Sequence, residues 1–343
     1  MARTIGWGLI GASNVAREWI IPAIGEVENS KVVAVLGSDP SRTRTYATAN
    51  GIPAVYDRIE EFLADPAITA VYISTTNERH AAAAIAAARA GKHILCEKPM
   101  AMTLSDAAAM LDAAHKAGVQ LGVNHHLRCM ETHRAMRRLI LEGAIGRPVA
   151  VRIFFGVLLP DELKGWRVNK PEAGGGVLFD LTVHDADLIR FLLSEDPVDV
   201  VALTGATGVA EGNLADTAMI ATRMQSGLLV QIGESFSIAH ADPSVEIHGT
   251  KGALIGNDVL WQRGGGSVSL RRGSQVELVP LTHANAYPRV IRQFNDAIMG
   301  NGAPSVTGED GYKSLAFALA ASESAKTGRR IQIAQRGGKT AHG

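Results

Sequence analysis

The chain has 343 residues, 46% hydrophobic and 20% charged, and its 34 Lys and Arg balance 34 Asp and Glu. That length accommodates two domains, the composition excludes a disordered chain, and zero net charge gives no reason to expect a nucleic-acid partner or an anionic membrane surface. With only Cys96 and Cys129, a secreted disulfide scaffold is excluded and a reduced cytoplasmic setting is expected.

The start enters a strand pattern without the charged and apolar regions of an export signal. The most apolar stretch, residues 80–96, is broken by Arg89, Gly91 and Lys92 and is too short for a membrane span. Residues 4–10 predict a strand, and 14–24 a helix that Pro22 bends or ends. A Val-rich strand follows over 31–37, then a helix over 40–51 stopped by Gly51. The apolar run 70–75 reads as a strand, 78–91 as a helix ending at Gly91, and 93–97 as the next strand. Residues 103–118 combine a Thr or Ser cap, helical spacing of Ala and Leu, and a closing Gly118 before the strand 119–124. This alternation predicts a Rossmann-type domain over 1–123, with a parallel, doubly wound sheet.

From residue 124 to 343 the texture predicts an α+β domain. A helix over 132–143 precedes a series of β-like runs between 146 and 281, separated by turns and interrupted by one helix over 179–193. They predict a large, mostly antiparallel sheet. Two helices, 290–300 and 309–328, close the chain, and the Gly-rich basic end after Ile333 is expected to be loose.

Five clusters suggest chemistry. After the first strand, Gly11, Ser13 and Ala16 occupy the places of the G-x-G-x-x-G dinucleotide fingerprint. The Ser13 Cβ crowds the backbone approach to a pyrophosphate, while its hydroxyl offers a hydrogen bond at a helix N-terminus. At the end of the second strand the sequence is Gly37-Ser38-Asp39-Pro40, with Arg42 and Arg44 beyond. A carboxylate there would accept from a ribose 2′-OH. A small residue, a hydroxyl and a guanidinium instead favour a 2′-phosphate, with Asp39 capping the next helix. Glu97-Lys98-Pro99 stands at a strand end, where Lys98 can polarise a carbonyl and a cis Pro99 would aim it; the alternative is a surface Glu–Lys pair. Asp180 and His184, four apart behind Gly174–Gly176, share a helix face as an acid–base pair or a plain ion pair. An Asp180 carboxylate beside His184 would raise its affinity for a proton from the ordinary pKa of ~6.5. His125, His126, Cys129 and His133 have loose spacing for zinc, and no metal is expected.

Together, in this order, the Glu97–Pro99 and Gly174–His184 motifs resemble the glucose–fructose oxidoreductase and inositol dehydrogenase (Gfo/Idh/MocA) family, across nearly the whole chain. The runs 74–80, 95–107, 124–128, 165–176 and 182–187 resemble its reductases of cyclic sugar ketones most. The resemblance implies an open sheet in the second domain and NADPH-dependent hydride transfer to the C2 ketone of a cyclic sugar, with NADP(H) as cofactor. Polyol or aldose dehydrogenation, or a non-catalytic cofactor-binding regulator, are the alternatives. It implies Ala12, Ser13, Asn14 and Val15, with Gly11, at the pyrophosphate. Gly37, Ser38 and Arg42 fall at the 2′-phosphate, although the reductase pattern has serine in place of Gly37. Thr75, Thr76, Asn77, Glu78, Arg79, His80, Glu97, Lys98 and Asn124 run along the cofactor. Trp166, Arg167 and Tyr287 close the pocket, with Arg167 also contacting sugar. Lys98, Asp180 and His184 are the implied catalytic and sugar-binding residues, with Lys98 or His184 as proton donor. The implied assembly is a monomer or a homo-oligomer through the open sheet.

Overall fold

The computed structural model describes residues 4–336, so the part of the Gly-rich end from 337 lies outside the described residues. The chain divides into two compact units. One takes the chain up to His125 with Tyr287–Tyr312, and the other takes His126–Ala286 with the chain from Lys313.

The first unit is built on β1 (Ile5–Ile10), α1 (Ile21–Gly25), β2 (Ser30–Leu36), α2 (Pro40–Ala49), β3 (Ala54–Tyr56), α3 (Ile59–Ala64), β4 (Ala70–Ile73), α4 (His80–Arg89), β5 (His93–Cys96), α5 (Leu104–Ala117) and β6 (Leu121–Val123). All strand pairs are parallel, in the order β3-β2-β1-β4-β5-β6. β1 and β4 are buried along their whole length, because helices cover both faces of such a sheet. Pro22 does not end its helix. Ala16–Ile20 makes a π-helical turn, and Pro22 falls in the first turn of α1, where its missing N–H is no loss. α5 has the expected ends: Thr103 Oγ1 accepts the Asp106 N–H, and Gly118 closes the helix at φ +65°. β3 and α3 were not legible, being only three and six residues long.

The second unit holds α6 (Glu131–Leu141), β7 (Pro148–Gly156), α7 (Asp161–Asn169), α8 (Val183–Leu193), β8 (Pro197–Gly205), β9 (Thr217–Met224), β10 (Leu229–Ser235), β11 (Ser244–Gly249), β12 (Ala253–Asn257), β13 (Ser267–Arg272) and β14 (Gln275–Leu278). Its sheet is antiparallel except where β7 runs parallel to β10. One face buries Val151, Ile153, Ile220, Val230, Ile232, Val245 and Ile247. The register places Leu203 opposite Met219 and Val201 opposite Ala221 on the other face, beside an Arg152–Glu246 ion pair at 3.1 Å. Leu203 is 71% exposed and Met219 57%, so this face carries apolar surface.

α9 (Tyr287–Ile298) belongs to the first unit, which a single cut at 123/124 does not capture. Phe294 packs on Trp7 and Tyr287 stacks on Trp19, each with ring centroids 5.4 Å apart, and Asn295 Nδ2 donates to Ser30 Oγ at 3.2 Å. The Val123 N–H donates to Val306 O, closing the β6 edge with a segment remote in sequence. α10 (Gly308–Thr327) follows. In the second unit β15 (Ile331–Gln332) adds to β8, completing the order β14-β13-β12-β11-β7-β10-β9-β8-β15.

Candidate active site

Parallel strands deliver the first unit's polar side chains to one rim, past their carboxyl ends. Directly after β1, Gly11 takes φ +109°, and a Cβ there would stand 3.0 Å from the Ser74 carbonyl. The turn therefore needs glycine at its first position. Ser13 is no defect in it. Its Oγ lies 2.7 Å from Ser74 Oγ and accepts the Ala16 N–H at 3.1 Å, so it caps the helix that begins with Asn14 and Val15. Its carbonyl accepts the Tyr46 hydroxyl at 3.0 Å, and burial pushes the Tyr46 pKa up to about 12, opposed by Arg17. Ala12 lies in the turn, ahead of a helix start whose first N–H groups have no intrahelical acceptor. Asp39 is the α2 cap, accepting from Ser41 N and Arg42 N, and leaves Ser38 and the Arg42 side chain exposed beyond Gly37.

Past β4 and β5 a hub forms around the half-buried Glu97. The Tyr72 hydroxyl and Asn124 Nδ2 (2.6 Å) both donate to Glu97 Oε1, and the Lys98 N–H donates to Glu97 Oε2 at 3.3 Å. Burial, reinforced by the Glu97 charge, holds Tyr72 well above the usual phenol range. Glu97 thus organises the strand end. Lys98 sits half-buried there, joined to Pro99 by a cis peptide bond. His80 is fully buried, its ring nitrogens 2.9 Å from Pro99 O and 3.1 Å from Thr75 O. Placed along the cofactor by the sequence reading, it ties the loop after β4 to the Lys98 turn through both ring nitrogens. Burial lowers its pKa. Thr76 Oγ1 donates to Glu78 Oε1 at 2.6 Å, with Arg79 3.7 Å from the same oxygen, while Thr75 Oγ1 turns to Thr76 O. Tyr287, expected to close a pocket, is 1% exposed on Trp19 and acts as core. Asn77 Nδ2 and Asn124 Oδ1 are among the buried polar atoms that have no hydrogen-bond partner in the protein. Such orphans at a Rossmann rim fit a polar ligand such as a nicotinamide dinucleotide.

In the second unit, α7 kinks at Gly165 (φ 31°, ψ −128°), which separates Trp166 and Arg167 from its first turn. The Arg167 guanidinium lies 4.7 Å over Trp166, and its Nε donates to Asp180 Oδ2 at 3.2 Å. The glycines ahead of Asp180 serve this chain's own backbone. A Cβ on Gly175 would come within 2.9 Å of the Lys170 and Trp166 carbonyls, while the Gly176 N–H donates to Arg167 O at 2.7 Å. Asp180 stands in a π-helical turn, Leu178–Thr182, and His184 in the first turn of α8, so the two are on consecutive turns, as their spacing predicted. Arg167 beside Asp180 gives that carboxylate a cation to balance, which the sequence reading lacked. His126, weighed in the sequence only as a zinc ligand, meets the His184 ring edge-on at 5.4 Å.

Behind this turn two carboxyls are buried together. Asp185 and Glu234 are 0% and 2% exposed, and Thr182 Oγ1 donates to Glu234 Oε2 at 2.6 Å. Burial raises Asp185 to about 8, and burial with the facing Asp185 charge raises Glu234 well above its usual range. Spacing hid this pair, since nothing local ties Glu234 on β10 to α8. Nearby, Arg128 holds Asp187 through two bonds of 2.7 Å, so the Arg of the 124–128 run acts in packing. The possible zinc cluster disperses. His133 Nδ1 is 2.9 Å from Leu127 O, burial lowers its pKa to about 4, and Cys129 is buried. Among the described residues no group of three or more His, Cys, Asp or Glu is placed to hold a metal ion, and no helix is long and apolar enough to cross a membrane.

Residues 5–125 match the model of the oxidoreductase family with an NAD-binding Rossmann fold, and 133–255 that of the GFO/IDH/MocA C-terminal domain. The chain is 49% identical to a 1,5-anhydro-D-fructose reductase of Ensifer adhaerens, over 95% of this chain and 98% of that one. It is 30% identical to an inositol 2-dehydrogenase of Rhizobium meliloti, over 96% of this chain and all of that one. Among solved structures, an aldose-aldose oxidoreductase from Caulobacter crescentus superposes with a TM-score of 0.88 at 27% identity, covering 96% of this chain and all of the other. The glycine turn, the Lys98 strand end and the Asp180–His184 helix thus stand in an oxidoreductase of the Gfo/Idh/MocA family.

Proposed function

We propose that this protein reduces a cyclic sugar ketone with NADPH, 1,5-anhydro-D-fructose to 1,5-anhydro-D-mannitol. The observation that carries the reading is the 49% identity to the reductase over 95% of the chain, together with the retained Lys98, Asp180 and His184. The residues fit the cofactor class. Gly11 permits the turn, Asn77 and Asn124 offer unsatisfied polar atoms, and Ser38 and Arg42 are exposed donors beyond a strand end with no acid at position 37. When bound, the dihydronicotinamide supplies the hydride. The protein's part is to position and to polarise. Negative charge grows on the ketone oxygen, and the Lys98 ammonium stabilises it. His184 gives the proton, with Asp180 holding the ring and Arg167 holding Asp180.

A panel of 1,5-anhydro-D-fructose, myo-inositol and aldoses, run with both nicotinamide cofactors, tests this. NADPH oxidation by the ketone should exceed NADH oxidation by at least about tenfold in kcat/KM. His184→Asn should lower kcat by about 10²-fold or more. Faster turnover of myo-inositol with NAD⁺ would replace the reading with polyol dehydrogenation, which the 30% identity to an inositol 2-dehydrogenase makes the second choice.

A further inference from the structure

We infer that Thr43 is a specificity-determining residue for the cofactor. By filling the space beside Gly37 it keeps the end of β2 free of any side chain, and so reserves that position for a ligand bearing a 2′-phosphate. The inference rests on the NADPH reading above and names the residue that enforces it.

Gly37 follows β2 directly, and its N–H donates to Tyr56 O at 3.2 Å, which fixes the backbone against β3. A Cβ built on it would collide with Thr43 Oγ1 and stand 3.1 Å from Cγ2 and 3.2 Å from Cβ of the same residue. Thr43 has nowhere to go. It is 2% exposed, its Oγ1 donates to Asp39 O at 2.6 Å, and its N–H donates to the same oxygen at 2.9 Å. Asp39 is itself anchored as the α2 cap by the Ser41 and Arg42 N–H groups. Turning the Thr43 side chain breaks a bond to Asp39, and shifting α2 breaks the cap.

A carboxylate that accepts from a ribose 2′-OH stands at this strand end in NAD sites. Here Thr43 removes the room for that acid, and the exposed Arg42 supplies a positive charge that favours a phosphate. Positions 37 and 43 therefore act as one determinant, and an acid at 37 works only with a smaller residue at 43.

The test is a cycle of Gly37→Asp, Thr43→Ala and the double variant. It reads the Tm of the free protein and the Kd for 2′-phospho-ADP-ribose and for ADP-ribose by calorimetry. Gly37→Asp alone should lower Tm by about 5 °C and weaken both fragments. The double variant should recover most of that Tm and shift the fragment preference toward ADP-ribose by at least about tenfold relative to the unaltered protein. A Gly37→Asp protein with unchanged Tm that already prefers ADP-ribose overturns the inference, as does a double variant no more stable than the single. If the unaltered protein shows no preference for the 2′-phosphate, the NADPH reading fails and the specificity role fails with it. The Tm cycle still reports separately whether Thr43 fills the space.

Discussion

The two units enclose carboxylates by opposite means, one half-buried among donors and one fully buried with few. In the first, Glu97 is met by three donors, the Tyr72 hydroxyl, the Asn124 amide and the Lys98 N–H. In the second, Asp185 and Glu234 are buried together, the Thr182 hydroxyl donates to Glu234 alone, and both carboxyls hold protons far above the ordinary carboxylate range. A buried acid needs either donors to spread its charge or a proton to remove it. Asp216 shows that the contrast follows donors and not the unit. It too lies in the second unit with 0% exposure, but it accepts from Thr207 N, Thr207 Oγ1, Val209 N and Ala210 N. Burial pushes its pKa up, and those donors outweigh the push and leave it below the usual value.

The largest test of this contrast is Glu97→Ala. It orphans three donors at about 1–3 kcal/mol each and should lower Tm by on the order of 10 °C in scanning calorimetry. A fall under about 2 °C would mean that water replaces the carboxylate and that the donors do not define the hub.

The next test separates Asp185 from Asp216 by the sign of their pH dependence. With Asp185 raised to about 8, the unfolded chain releases a proton near pH 4 that the folded chain keeps. Stability then falls as pH rises between those values. Asn at 185 escapes that loss, so the Tm advantage of Asp185→Asn should grow by about 5 °C from pH 5 to pH 8. Asp216 is depressed, so its contribution is present above the ordinary value of ~4 and is lost as pH falls through the folded value. Asp216→Asn should therefore cost most near neutrality and progressively less in acid. Parallel slopes for the two variants would contradict the donor argument.

The smallest effect belongs to Asp39, an exposed carboxylate whose acceptors serve the Ser41 and Arg42 N–H groups. Asp39→Ala should cost about 1 kcal/mol, or about 2–4 °C in the same scans.

What the sequence disclosed follows from range. The Rossmann strands, the caps at Asp39 and Thr103, and the spacing of Asp180 and His184 are local patterns, and the folded chain keeps them. The Ser13 hydroxyl is legible as a hydrogen-bonding group at a helix N-terminus, and it accepts the Ala16 N–H there. Its second contact, with Ser74, comes from 61 residues away and carries no local signal. The burial of His80 against Pro99 and of Tyr287 against Trp19 depends on partners remote in sequence and is not legible in the string of letters. Glu234 sits in a strand pattern that says nothing about α8, and no period could have matched it to Asp185. Side-chain pairs brought together by tertiary folding carry no signal in either segment alone.

The first unit is finished late. All of His126–Ala286 is synthesised between β6 and the segment that covers Trp7, Trp19 and the β6 edge. At translation speeds of 5–20 residues per second, that is a wait of about 10–30 s. Through that interval the nascent unit exposes the Trp7 and Trp19 indoles and an unpaired strand, the features that recruit holdases. A fragment ending at residue 125 would keep that exposure permanently. A minimal cofactor-binding piece of this protein would therefore have to be rewired, with Tyr287–Tyr312 joined behind His125, rather than simply cut.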